Sequence, residues 1–123
     1  MEPQTKPKLA PYLVVRDAAG LGRFIQNGIG GKPGFEERDE EGRVNHLELK
    51  VADSLVMLAE MPEGRTPFPA MIHLYVADAD AAYERALKAG ATSVRAPTEA
   101  GDGRRGGVRD AWGNEWWFTR RSA

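Results

Sequence analysis

Short β-branched or apolar runs alternate along the chain with polar breaks marked by glycine or proline. Residues 12–15, Tyr-Leu-Val-Val, predict a strand. Asp17 then predicts a helix N-cap, with Leu21, Phe24 and Ile25 at i, i+3, i+4 as the buried stripe. Gly20 and Gly22 each weaken this helix by about 1 kcal/mol relative to Ala, so packing rather than propensity must hold it. The cluster Asn27-Gly28-Ile29-Gly30-Gly31 ends it, and residues 35–38 predict a short exposed strand. Residues 44–51 and 54–60 predict two strands joined by the two-residue turn Ala52-Asp53. Residues 61–70, with Pro62, Gly64, Pro67 and Pro69, break both helix and strand and read as a connector.

The pattern then starts again. Residues 71–76 predict a strand, Asp78 a second N-cap, and Ala79, Ala82, Tyr83, Ala86 and Leu87 the apolar face of an amphipathic helix stopped at Gly90. Residues 92–95 predict a short strand and residues 101–107 a Gly/Arg-rich loop. Residues 108–111 pair with 114–119 around Trp112-Gly113. Leu13-Val14-Val15-Arg16-Asp17 lies 61 residues before Leu74-Tyr75-Val76-Ala77-Asp78, and the first hairpin turn lies 60 before the second. An internal repeat of about 60 residues, each copy strand, helix, strand, strand, strand, therefore organises the chain.

Composition narrows the classes of function. The chain has 123 residues, one domain's worth, with 14 Gly and 8 Pro, which is turn-rich yet short of low complexity. With no Cys there is no disulfide framework, thiolate metal site or cysteine nucleophile. Up to Glu63 there are 8 basic and 11 acidic residues, and after it 9 basic and 7 acidic, an imbalance too mild to predict a nucleic-acid surface. No apolar run is long enough for a membrane span, and residues 1–8 read as a polar, flexible arm rather than a signal sequence. These readings predict a cytoplasmic protein whose partner is a small molecule or another protein.

The doubled module resembles the vicinal oxygen chelate superfamily, which contains glyoxalases, extradiol dioxygenases and bleomycin- or fosfomycin-resistance proteins. The resemblance rests on the Val76-Ala77-Asp78-Ala79-Asp80-Ala81 helix entry, the Leu87-Lys88-Ala89-Gly90-Ala91 exit and the Arg109-Asp110-Ala111-Trp112-Gly113-Asn114 turn, in order and within a repeat. It implies an α+β fold in which two βαβββ modules form a curved, mostly antiparallel U-shaped sheet with one helix per module on the convex side. The domain would span residues 9–121, as module one (9–60), linker (61–70) and module two (71–121). It also implies a homodimer, swapped or unswapped. In metal-dependent members the ligands come from the first and last strand of each module, and the matching positions here are Ala10, Met71, Met57 and Trp117. None offers a hard or borderline oxygen or nitrogen ligand, so the resemblance implies a member without the usual metal and without another cofactor.

Strand alternation names the side chains sharing the concave face with those positions: Tyr12, His46, Glu48, Met57, Met71, His73, Tyr75, Val108 and Trp117, with Lys50, Asp110 and Glu115 nearer the rim. Val108 enters this set because a two-residue turn at Trp112-Gly113 would place it opposite Trp117. The lining is apolar and aromatic with a few polar groups, the make-up of a small-molecule site, although Met57 and Met71 are also able to plug it. His46, Glu48 and His73 are the candidates for acid–base chemistry or for a displaced metal; a solvated or mutually bonded His46/Glu48 pair is the bland alternative. Gly101-Asp102-Gly103-Arg104-Arg105-Gly106 fits G-x-G-x-x-G but does not lead from a strand into a helix, so it reads as a flap presenting Arg104 and Arg105 to an anionic ligand, or as solvated arginines. The leading functional expectation is binding or sequestration of a small, partly aromatic molecule, with a lyase or isomerase as the alternative.

Overall fold

The computed structural model describes residues 9–101 and 103–121, so the expected N-terminal arm lies outside the described residues. The first module comprises β1 (Tyr12–Val15), α1 (Ala18–Phe24), β2 (Lys32–Arg38), β3 (Val44–Val51) and β4 (Ser54–Glu60). The second comprises β5 (Met71–Tyr75), α2 (Ala79–Lys88), β6 (Thr92–Ala100), β7 (Gly103–Arg109) and β8 (Glu115–Arg121). Each module forms a four-stranded sheet, ordered β1-β4-β3-β2 and β5-β8-β7-β6, with the first strand parallel to the last and the other pairs antiparallel. The architecture is α+β, two βαβββ modules, each with one helix on its sheet. Among the described residues no helix is long and apolar enough to cross a membrane.

Both helices start where the sequence places their caps, with extra support for α1. The Asp78 carboxylate accepts the Ala81 N–H at 3.0 Å, and Asp17 accepts the Gly20 N–H at 3.1 Å. Asp17 sits in the left-handed region (φ 63°), and the Glu60 carboxylate accepts from the N–H groups of Asp17 and Ala18 at 2.9 and 3.0 Å. A glycine-weakened helix is thus satisfied at its N-terminus by two carboxylates, one of them from β4. At its other end α1 runs into a π-helical turn, Ile25–Ile29, that closes at Gly30.

The two modules join through their helical sides. Leu47, Leu49, Val56 and Leu58 from the first sheet and Val108, Trp116 and Phe118 from the second fall in one buried cluster with Leu21, Phe24, Ile25, Tyr83 and Ala86. A Cβ at Gly28 would lie 2.9 Å from the Ala89 Cβ, so glycine is what lets the π turn approach α2. Arg85 of α2 donates to the carbonyls of Gly28 (3.3 Å) and Ile29 (2.9 Å), the end that a helix leaves unsatisfied. The Trp112 indole N–H donates to the Arg16 carbonyl at 2.7 Å, tying the second module's turn to the start of α1. The opposite face of each sheet is turned away from this shared core.

Three sequence expectations change. Val108 lies opposite Trp116, not Trp117, and is fully buried on the helix side. The reason is the turn: Arg109 pairs with Glu115, and Asp110 bridges to Asn114 across three residues rather than two. A one-residue change of register turns every side chain to the other face. The expected flap is instead part of a hairpin, with Arg104 and Arg105 in β7. Arg104 donates to Asp80 of α2 at 2.7 and 3.0 Å, and this pairing holds the Asp80 carboxyl below the usual carboxylate range. Asp110, expected near the rim, is buried inside its own turn.

Candidate functional site

The outward face of the first sheet carries a hydrogen-bonded row of three side chains. Tyr12 of β1 and Glu48 of β3 both lie opposite Met57 of β4, and His46 stands two residues from Glu48 on the same face. The Tyr12 hydroxyl lies 3.2 Å from His46 Nδ1, and His46 Nε2 lies 3.0 Å from the Glu48 carboxylate. The rings of Tyr12 and Phe35 flank the imidazole at centroid distances of 5.7 and 5.9 Å. Exposure falls along the row, from 47% at Tyr12 to 8% at Glu48.

The outward face of the second sheet is aromatic and cationic. His73 Nε2 is hydrogen-bonded to Thr119 Oγ1 at 2.7 Å, and Arg105 Nε donates to the same hydroxyl at 3.2 Å. The Arg121 guanidinium lies 3.7 Å above the centre of the Tyr75 ring, a cation–π contact. Trp117 lies flat over Gly107: a Cβ at that glycine would come within 2.6–2.8 Å of three indole carbons. Its indole N–H donates to Glu115 at 3.0 Å, and Glu115 also accepts from Arg109 at 2.8 Å. Those two bonds, the indole's first, hold the Glu115 carboxyl below the usual carboxylate range. Met71 and Tyr75 beside this group are 70% and 55% exposed.

The nine side chains expected to line one cavity are therefore distributed. Tyr12, His46, Glu48 and Met57 share the first sheet's face, and His73, Tyr75 and Trp117 share the second's, with Met71 at its edge. Val108 belongs to the core, and Arg105 belongs to the second face through strand register opposite Thr119. His73 bonds within its own sheet and does not join His46 and Glu48. Clefts of about 300 Å³ beside Phe24 and Trp112 and about 570 Å³ between Glu41 and Glu63 contain none of the nine. Sequence reasoning missed Thr119, Arg121, Gly107 and Phe35. For Thr119 and Arg121 the signal was present, since they follow Trp117 at steps of two along one strand.

The metal centre implied by the fold family does not fit these residues. Ala10, Met57, Met71 and Trp117 supply a methyl, two thioethers and an indole whose nitrogen only donates. Among the described residues, no three His, Asp or Glu side chains cluster in a way that would hold a metal ion.

The fold and the family both have matches among known proteins. TioX from Micromonospora sp. ML1 superposes with a TM-score of 0.80 at 21% identity, covering 94% of this chain and 99% of its own. TnmS3, an antibiotic binding protein from Streptomyces sp. CB03234, gives a TM-score of 0.74 at 21% identity, with 99% of each chain covered. An uncharacterized protein of Mycobacterium bovis is 37% identical over 90% of this chain and 81% of its own length. The sequence model of the Glyoxalase/Bleomycin resistance protein/Dioxygenase superfamily matches residues 8–118. A match over nearly the whole chain, together with two βαβββ modules in the expected strand order, leads to one conclusion: the chain belongs to the Glyoxalase/Bleomycin resistance protein/Dioxygenase superfamily.

Proposed function

We propose that this chain is a metal-independent binding module that works as a homodimer and holds a small, partly aromatic molecule between the outward face of one sheet and that of a partner's. The observation that carries the reading is the exposure of Tyr12, Met71 and Tyr75 on strands whose opposite faces pack on the core, with Phe35 exposed on the edge strand β2. Large apolar side chains grouped on a sheet face are characteristic of a surface that is covered in the working state. Trp117, pressed flat on Gly107 and fixed by Glu115, supplies a pre-ordered stacking platform, so a planar ligand loses little entropy in ordering it. The fold neighbour TnmS3 is an antibiotic binding protein, which supports a small-molecule ligand for this chain.

The test pairs assembly with binding. Sedimentation velocity over a range of concentrations is expected to give a dimer, and a panel of polycyclic aromatic compounds is expected to quench tryptophan fluorescence. Trp117→Ala should weaken binding about tenfold or more, the loss of roughly 1.4 kcal/mol or more of stacking. A monomer at all concentrations with no binder in the panel would sink the proposal. The second reading, a lyase or isomerase, is favoured by the 3.0 Å contact between His46 and Glu48. Its mark is turnover of a bound compound that disappears in His46→Ala.

A further inference from the structure

We propose that Tyr12, His46 and Glu48 form a proton relay, and that the ligand of this face is a molecule with an acidic hydroxyl, a phenol or an enol, whose proton the relay takes up. The inference rests on the binding reading above and names the ligand class for the first sheet's face.

Hydrogen-bond chemistry fixes the direction of the row. An ionised carboxylate only accepts, so His46 Nε2, 3.0 Å from Glu48, carries a hydrogen. In the neutral imidazole Nδ1 is then the acceptor, and the Tyr12 hydroxyl at 3.2 Å donates to it. That arrangement leaves the lone pairs of the phenol oxygen toward the open face, at the exposed end of the row. A ligand hydroxyl bonded to Tyr12 donates its proton to the phenol oxygen as the phenol's own proton passes to His46 Nδ1. The products are a ligand anion and an imidazolium paired with Glu48. No net charge is created and no other reactant is needed.

Glu37 of β2 lies opposite His46, and Glu48 stands behind it; Lys50 is the cation of the same strand face, and Tyr12 and Phe35 supply the flanking rings. The fold itself does not require the row. In the second module the matching register positions hold His73, Arg105 and Gly107, and the strands pair in the same way. A half-exposed phenol, an imidazole and a nearly buried carboxylate in series occur in one module only, which favours a chemical role over a structural one.

The experiment uses two chromogenic probes that differ by one proton, 4-nitrophenol and its methyl ether 4-nitroanisole, with the full chain. At the pKa of 4-nitrophenol, where an ordinary imidazole is mostly neutral, about half of the free probe is ionised. The relay predicts that most of the bound probe shows the yellow phenolate spectrum. The ionised fraction at saturation does not depend on how tightly a probe binds. In Glu48→Gln, and in Tyr12→Phe at the exposed end should the first variant not fold, that fraction is expected to return to about half. Bound 4-nitrophenol that keeps its neutral spectrum, or a phenolate fraction unchanged in the folded variants, overturns the relay. If 4-nitroanisole binds in that case, the binding reading survives without it. If neither probe nor any compound of the aromatic panel binds, both fall.

Discussion

The two modules share a strand order and a register but present different chemistry to the outside. Their inward positions do similar packing: Leu49 and Leu58 in one, Val108 and Phe118 in the other, all essentially without solvent contact. Outward, Tyr12 corresponds to His73, Glu48 to Gly107 and Met57 to Trp117, by their positions opposite one another in each sheet. One face therefore carries a hydrogen-bonded Tyr–His–Glu row, and the other a flat indole between arginines. The lesson is that packing residues specify the module while the opposite side of the same strands is free to diverge. The exchange at one register point is sterically coupled: where the first module has a glutamate beside a slim methionine, the second has no side chain beneath a tryptophan.

The hairpin turns differ most sharply, and breaking one should have the largest effect. In the second module the Asp110 carboxylate accepts from the backbone N–H groups of Trp112 and Asn114, from the Asn114 side-chain amide and from the Trp116 indole. In the first, among the described residues, Asp53 reaches only the Ser54 hydroxyl, at 3.5 Å and in solvent. Asp110→Ala leaves four donors without their acceptor in a buried site. At about 1–3 kcal/mol for each unsatisfied group, softened by entering water, the expected loss is about 3 kcal/mol or more in urea unfolding. Asp53→Ala, the matched control, should stay within about 0.5 kcal/mol of the parent.

These turns also explain what the sequence revealed and what it hid. The helices, the strands other than β6 and β7, both N-caps and the face of Trp117 were legible because they follow from local periodicity and capping chemistry. The face of Val108 was not, because a two-residue turn was assumed where Asp110 and Asn114 enclose three. The readable signal was an Asp followed at two and four residues by N–H groups its side chain can bind. Residues 103–107 looked like a loop because glycine is poor in strands. Here Gly106 and Gly107 are required by close neighbours, Pro97 and the Trp117 ring, which composition does not announce. The division of the candidate site into two faces was hidden for another reason. Alternation tells which side chains share a face of one sheet, whereas the packing of sheet against sheet depends on contacts such as Gly28 with Ala89, far apart in sequence.

Gly107→Ala tests the coupling between the glycine and the indole. The new methyl would lie well inside contact distance of three ring carbons, so Trp117 must tilt away from the sheet and give up its bond to Glu115. Overpacking of this kind costs about 1–3 kcal/mol. The sharper readout is tryptophan fluorescence, which should shift toward that of an exposed indole, and aromatic binding should weaken with it. An unchanged spectrum would mean that the indole does not depend on the glycine, and the contrast with Glu48 would lose its steric basis.

The smallest expected effect returns to the turns. Ala52 has φ 55° and Gly113 has φ 88°, so each module uses a left-handed residue to reverse its chain, but only the second uses glycine there. A side chain in that region costs about 1–2 kcal/mol, and glycine gives back part of the relief through its larger freedom in the unfolded chain. Ala52→Gly should therefore stabilise the protein by about 0.5–1 kcal/mol, and Gly113→Ala should destabilise it by about 1 kcal/mol. The two substitutions bring the modules' turns toward each other in opposite senses, so their effects on the urea midpoint must have opposite signs. A midpoint lowered by Ala52→Gly would show that the first turn draws its stability from contacts of the Ala52 methyl rather than bearing a conformational cost.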